Sequence, residues 1–172
     1  EAAEQLYRQA ASDFGFWQKD MRYVGRGRAR LALGALFASQ EEFGEAMSMG
    51  KMAVEEFKQA DAKLHIAESE VALSQWAQLA GNTDSALKYA KLARSRFYHA
   101  GAVYHSALVE IRMAQLQLEA GDADGARETA GYAVKRMEKF GDPVGRSRAR
   151  LVQAYTAAEA GEALPLDEIS DI

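Results

Sequence analysis

The sequence predicts an all-α protein, a row of antiparallel helix pairs with about eight helices in total, and three observations lead there. The first is a spacing of forty. Ala46, Ala86 and Ala126 keep it, as do Ala53, Ala93 and Ala133, and the pairs Ala80-Gly81, Ala120-Gly121 and Ala160-Gly161. Self-similarity at such a period marks stacked supersecondary units rather than a single closed core. The second is a near-copy at long range. Val24-Gly25-Arg26-Gly27-Arg28-Ala29-Arg30-Leu31 returns three periods later as Val144-Gly145-Arg146-Ser147-Arg148-Ala149-Arg150-Leu151, with seven of eight residues identical. The third is local: apolar residues recur at helical spacing and each run stops at a glycine.

Taken in order, residues 1–22 read as the second helix of an incomplete unit, with Ala10 matching Ala90 and Trp17 matching Phe97. Full units follow at 24–61, 63–101 and 103–141. In the central one, Val71, Leu73, Trp76, Ala77 and Ala80 form the first helix, which ends at Gly81. Glycine there takes the left-handed backbone without a Cβ clash. Asn82 or Asp84 then caps the second helix by accepting from its free N–H groups. That helix carries Ala86, Leu87, Ala90, Ala93, Arg94 and Phe97 on one side, and its two alanines seven apart allow a close approach. Residues 143–161 are the first helix of a fourth unit. Residues 162–172 are an acidic tail or, with Pro165 at a first helical position, a truncated second helix. Both ends fall within a repeat, so longer flanks or self-association through uncapped ends are expected. Glu1 lies in polar helical sequence, and the chain reads as a piece of a longer one.

Composition narrows the chemistry. The chain holds no cysteine, which excludes disulfides, thiolate metal sites and a cysteine nucleophile. Lys plus Arg is 21 against 25 Asp plus Glu, and four of the acids (Glu162, Asp167, Glu168 and Asp171) stand in the last eleven residues. The remainder is neutral, which argues against a nucleic-acid footprint. No apolar run reaches the ~20 residues of a membrane span. His65 and His105 are equivalent residues of neighbouring units, with His99 nearby, and no His-x-x-x-His pair shares a helix. Neither a metal site, a cofactor nor a catalytic residue is expected, and the chain reads as a non-enzyme. The arginine runs at Arg22–Arg30 and Arg146–Arg150 alternate in sequence, so they spread around their helices and do not form one stripe.

The units resemble the tetratricopeptide repeat in its forty-residue form. The residues that carry this are Leu33-Gly34 and Leu73-Ser74 in first helices, then Gly-Asp or Gly-Asn, then Ala followed by Ala seven residues on. With Phe-Gly-Asp-x-x-Gly at Phe140–Gly145, the units are similar to those of maltose-activator-type regulators, kinesin light chains and Pins-type scaffolds. The departures are Arg30, Glu70 and Glu110 where an aromatic is usual, Gln40-Glu41-Glu42 in place of Gly-Asp, and Gly50 where a larger residue is common.

The resemblance implies a right-handed superhelical array whose first helices line a concave groove for a peptide or partner segment. Carried over position by position, it implies ligand contacts at Arg28, Glu68, Gln75, Gln78, Arg112, Gln115, Arg148 and Tyr155. Amides there can donate to and accept from a ligand backbone, and Arg112 and Arg148 can fork onto a carboxylate. The Lys and Asn clamp of chaperone-tail binders is replaced by Leu31 and Ala35, Val71 and Gln75, or Ile111 and Gln115. The function expected is a protein-interaction module of the cytoplasm. Two other readings stay open: a regulatory or sensor array within a larger signalling or transcription protein, and an assembly protein that stacks through its ends. Leu164–Ile169 is also a candidate pseudo-ligand for the groove.

Overall fold

The computed structural model describes residues 2–13 and 19–161. Eight helices are found among them, and no strand: α1 (Ala2–Asp13), α2 (Lys19–Ser39), α3 (Phe43–Gln59), α4 (Lys63–Leu79), α5 (Thr83–His99), α6 (Val103–Glu119), α7 (Ala123–Phe140) and α8 (Pro143–Glu159). The chain divides into two compact units, residues 1–100 and residues from 101 onward. The helix expected over 1–22 is α1 only as far as Asp13, and Lys19–Arg22 already belong to α2. Trp17, the 162–172 segment and its Leu164–Ile169 motif lie outside the described residues.

Local chemistry sets the helix ends. Gly81, Gly101, Gly121, Gly141 and Gly161 all have φ between 66° and 79°, the left-handed turn that frees the chain to reverse. Asn82, not Asp84, caps α5, accepting from Ser85 N–H at 2.9 Å. Asp122 and Asp142 do the same for α7 and α8, each at 3.0 Å. Where Gln40-Glu41-Glu42 replaces the glycine turn between α2 and α3, the backbone keeps the same shape, with Glu41 at φ 63°, and Asp61 at φ 48° does so in the turn between α3 and α4. A non-glycine residue in this region costs about 1–2 kcal/mol, less for Asp. Glu41→Gly is therefore expected to stabilise the protein by about 0.5–1 kcal/mol after glycine's added unfolded-state entropy. The check is a higher urea midpoint at unchanged m-value.

In the first unit α1 packs on α2, α2 on α3 and α4, α3 on α4, and α4 on α5. Ala46, Ala53, Ala86, Ala90 and Ala93 are fully buried, so the small residues lie at the helix contacts. The core gathers Leu33, Phe37, Val54, Phe57, Ile66, Leu73 and Trp76. Trp76 explains the unusual Gly50. A Cβ at Gly50 would stand 2.8 Å from the Trp76 ring, and one at Gly34 would stand 2.6 Å from it. The indole is thus seated against two backbones stripped of side chains. In the second unit α6 packs on α7 and α8, and α7 on α8. Ala107, Ile111, Ala133, Met137 and Ala149 form one cluster there, and Ala114, Ala130 and Val152 another.

The charged residues at the usual aromatic position are paired with the second helix of their own repeat. Arg30 meets Glu56 at 3.0 Å, Glu70 meets Arg96 at 2.8 Å, and Glu110 meets Arg136 at 3.0 Å. Arg30, Glu70 and Glu110 are forty apart, as are Glu56, Arg96 and Arg136. The same ion pair therefore recurs in each repeat, with its polarity reversed in the first. The acid is the buried member each time.

Candidate functional site

The side of each first helix turned away from the core is where the sequence placed its ligand residues. In α4, Ile66, Ala67, Ser69, Glu70, Leu73, Ser74, Trp76 and Ala77 are buried. That leaves Glu68 and Gln75 exposed, seven residues apart and so on one face. Gln78 is half-buried beside them. Leu64 and Leu79, 44% and 62% exposed, extend this face at helical spacing. Ala32, Ala35 and Ala72 keep the side chains between α2 and α4 short. Arg28 is exposed and already engaged: its guanidinium lies 3.0 Å from His65 Nε2. The His65 ring in turn meets Phe57 edge-on at 5.0 Å. This bridge fixes α2 against the start of α4, so Arg28 belongs to the scaffold of the face as well as to its surface.

The second unit repeats the plan with different side chains. Arg148 and Tyr155 stand seven apart on α8, both exposed, with Val144 and Leu151 exposed on the same helix. Gln115 is exposed on α6, and Arg112 one turn earlier is half-buried. Burial draws the Arg112 guanidinium below its ordinary range, and Glu119 acts against that. Here the bridge between neighbouring first helices runs from Tyr104, whose hydroxyl donates to Asp142 Oδ2 at 2.9 Å, while Asp142 Oδ1 caps α8. Tyr104 also meets Phe140 edge-on at 5.3 Å.

The expected ligand residues thus fall into groups on separate helices: Glu68, Gln75 and Gln78 on α4, Arg112 and Gln115 on α6, Arg148 and Tyr155 on α8. Sequence reasoning did not single out Leu64, Leu79, Val144 and Leu151, which are exposed on the same helices as the expected positions. Their signal was an apolar residue one turn before or after a polar groove position. His65, His99 and His105 each meet an aromatic ring, those of Phe57, Tyr98 and Tyr104 respectively. Among the described residues no His, Asp and Glu cluster could hold a metal ion, and no helix is long and apolar enough to cross a membrane.

Two carboxylates titrate in opposite senses. The Gly145 N–H first, then the Tyr104 hydroxyl, hold Asp142 below its ordinary 3.8, and the same bond lifts Tyr104. Burial lifts Glu70 above 4.5 in spite of Arg96. A depressed folded value means that the Asp142 contribution is present above 3.8 and is lost as pH falls through the folded value. A raised one means that the Glu70 contribution is present below 4.5 and is lost as pH rises through its folded value. In unfolding curves recorded against pH, Asp142→Asn is expected to flatten the acid-side loss. Glu70→Gln is expected to flatten a decline that begins above 4.5.

No family model matches the chain, and no curated protein sequence matches it. Solved structures do. A Podosopora anserina protein assigned to the kinesin light chains, built of nearly identical TPR-like repeats, is 13% identical and superposes with a TM-score of 0.76. The match covers 98% of this chain and 82% of that one. A single-substitution variant of the same protein gives 12% identity, the same TM-score and the same coverage. At such identity the likeness establishes fold: this chain has a TPR-like repeat fold.

Proposed function

We propose that the chain is a non-catalytic, cytoplasmic protein-interaction module that holds an extended or helical partner segment in the concave groove formed by its first helices. The observation that carries this reading is the composition of the exposed first-helix faces. On α4 unburied leucines stand beside amides, over the alanines of α2 and α4, and on α8 unburied valine, leucine and tyrosine stand beside arginine. Exposed apolar residues at helical spacing beside a few polar groups are what a bound segment needs for contact and register. Gln75 on the first unit's face, or Gln115 on the second's, bonds the backbone of the segment, since an amide both donates and accepts. Arg148 takes a carboxylate, and Leu64, Leu79 and Tyr155 supply apolar contact. The neutral charge of residues 1–161 supports a protein ligand over a nucleic acid.

The experiment is affinity capture from native lysate with wild type beside Gln75→Glu/Gln115→Glu, two exposed positions whose change leaves the packing alone. A partner held by wild type and reduced at least tenfold by the folded variant supports the groove. Equal capture by both moves the site elsewhere. An empty capture with mass rising with concentration supports end-to-end assembly, and one with constant mass supports a regulatory array.

A further inference from the structure

Two second helices of the first unit, α3 and α5, present the same apolar face. Ala46, Ala53 and Phe57 of α3 are matched by Ala86, Ala93 and Phe97 of α5, and all six are at most 4% exposed. Apolar packing at these positions does not tell one helix from the other. Within one chain, a short loop favours pairing of each first helix with the helix that follows it. Between two copies of the chain no loop makes that choice, and repeat proteins are prone to exchange elements.

What differs is charge. α2 brings two arginines to the buried Glu56 of α3, Arg26 at 2.7 Å and Arg30 at 3.0 Å. Their equivalents on α4 are Ile66 and Glu70, and Glu70 meets Arg96 of α5 at 2.8 Å. Seating α5 in place of α3 on α2 would gather Arg26, Arg30 and Arg96 without the acid that Glu56 supplies. Seating α3 in place of α5 on α4 would set Glu70 against Glu56. The Glu56 and Glu70 side chains are 6% and 5% exposed, so water gives little relief. Like or unpaired charges at buried positions are strongly disfavoured. The signs therefore forbid both exchanges that the apolar faces allow.

We infer that the reversal of polarity between the first two helix pairs is a pairing code, which keeps a second copy of this chain from exchanging α3 for α5. It acts through buried residues and does not depend on what the groove holds.

The test refolds the whole chain from urea at high protein concentration and reads the oligomer fraction by size exclusion with light scattering. Glu70→Arg/Arg96→Glu gives both pairs the polarity of the first. Arg26→Ile/Arg30→Glu/Glu56→Arg gives both the polarity of the second, with isoleucine copied from position 66. Each uniform variant is expected to raise the oligomer fraction at least fivefold over wild type. The five substitutions together restore opposite signs and are expected to bring it back to within twofold of wild type. A general loss of stability would make the combined variant the most oligomeric of the set, and that order would overturn the inference. Uniform variants as monomeric as wild type would overturn it too. If neither uniform variant refolds, the combined variant decides: recovery of the monomer supports the code, and failure to recover contradicts it.

Discussion

Trp76→Ala is expected to cost about 3–5 kcal/mol, the range for emptying a buried tryptophan site. The ring is 5% exposed and fills the space between Gly34 on α2 and Gly50 on α3. Those helices cannot close the gap without giving up the alanine contacts of Ala46 and Ala53. Amide exchange of α2–α4 is therefore expected to accelerate by roughly two to four orders of magnitude at this cost. Gly34→Ala and Gly50→Ala test the other side of the fit. Gly34→Ala drives a methyl into the Trp76 ring, and Gly50→Ala drives one into that ring and the Leu73 side chain, each at about 1–3 kcal/mol. One period later the sequence carries Ser74, Ala90 and Leu116 in place of Gly34, Gly50 and Trp76. The triple change Gly34→Ser/Gly50→Ala/Trp76→Leu is accordingly expected to fall well short of the sum of its parts. A triple variant as unstable as that sum would show that the three sites are independent.

Loss of one partner of the buried ion pair ranks next. Arg96→Ala leaves Glu70, whose side chain is 5% exposed, with its charge buried and unpaired. Breaking such a pair costs about 3–5 kcal/mol, and the lower end applies because solvent reaches Arg96. Glu70→Arg alone sets two cations together and is expected to cost at least as much. The exchange Glu70→Arg/Arg96→Glu is expected to recover most of the loss, since Arg30 and Glu56 already hold these positions with that polarity. Urea midpoints of the single and double variants close the cycle, with a coupling of about 2–3 kcal/mol. Additive losses would reduce the pair to two unrelated polar side chains. Replacement by Glu70→Leu/Arg96→Met is expected to be neutral or stabilising, because desolvation offsets most of what the pair gains.

The repeat made most of the fold legible. A forty-residue step in Ala and Gly positions is a packing requirement written once per unit, and the helices from α3 to α8 end within a residue or two of the left-handed turns. What the sequence hid were compensations between distant residues. Gly50 reads as a defect in sequence, and only the structure shows that Leu73 and Trp76 occupy its space. Arg30, Glu70 and Glu110 read as lost aromatics, because each makes sense only with a partner twenty-six residues on. That signal was present as a sign reversal between two forty-residue columns, but it is visible only once first and second helices are set side by side. The turn at Glu41 keeps its left-handed backbone without glycine, since the stacking of α2 on α3 fixes the turn more strongly than its own preference does. At the candidate site, residue position predicted exposure for Glu68, Gln75, Gln115, Arg148 and Tyr155. It did not predict that Arg28 is engaged by His65, or that Gln78 and Arg112 are half-buried, because these depend on side-chain reach across neighbouring helices.

The most direct measurement of where a partner sits is photo-crosslinking with p-benzoylphenylalanine at Gln75 or Gln115 on first helices, beside Lys88 or Glu128 on second helices. All four positions are exposed. Groove binding predicts a partner adduct from Gln75 or Gln115 and none from Lys88 or Glu128. Adducts from the second-helix positions, with none from Gln75 and Gln115, would contradict it.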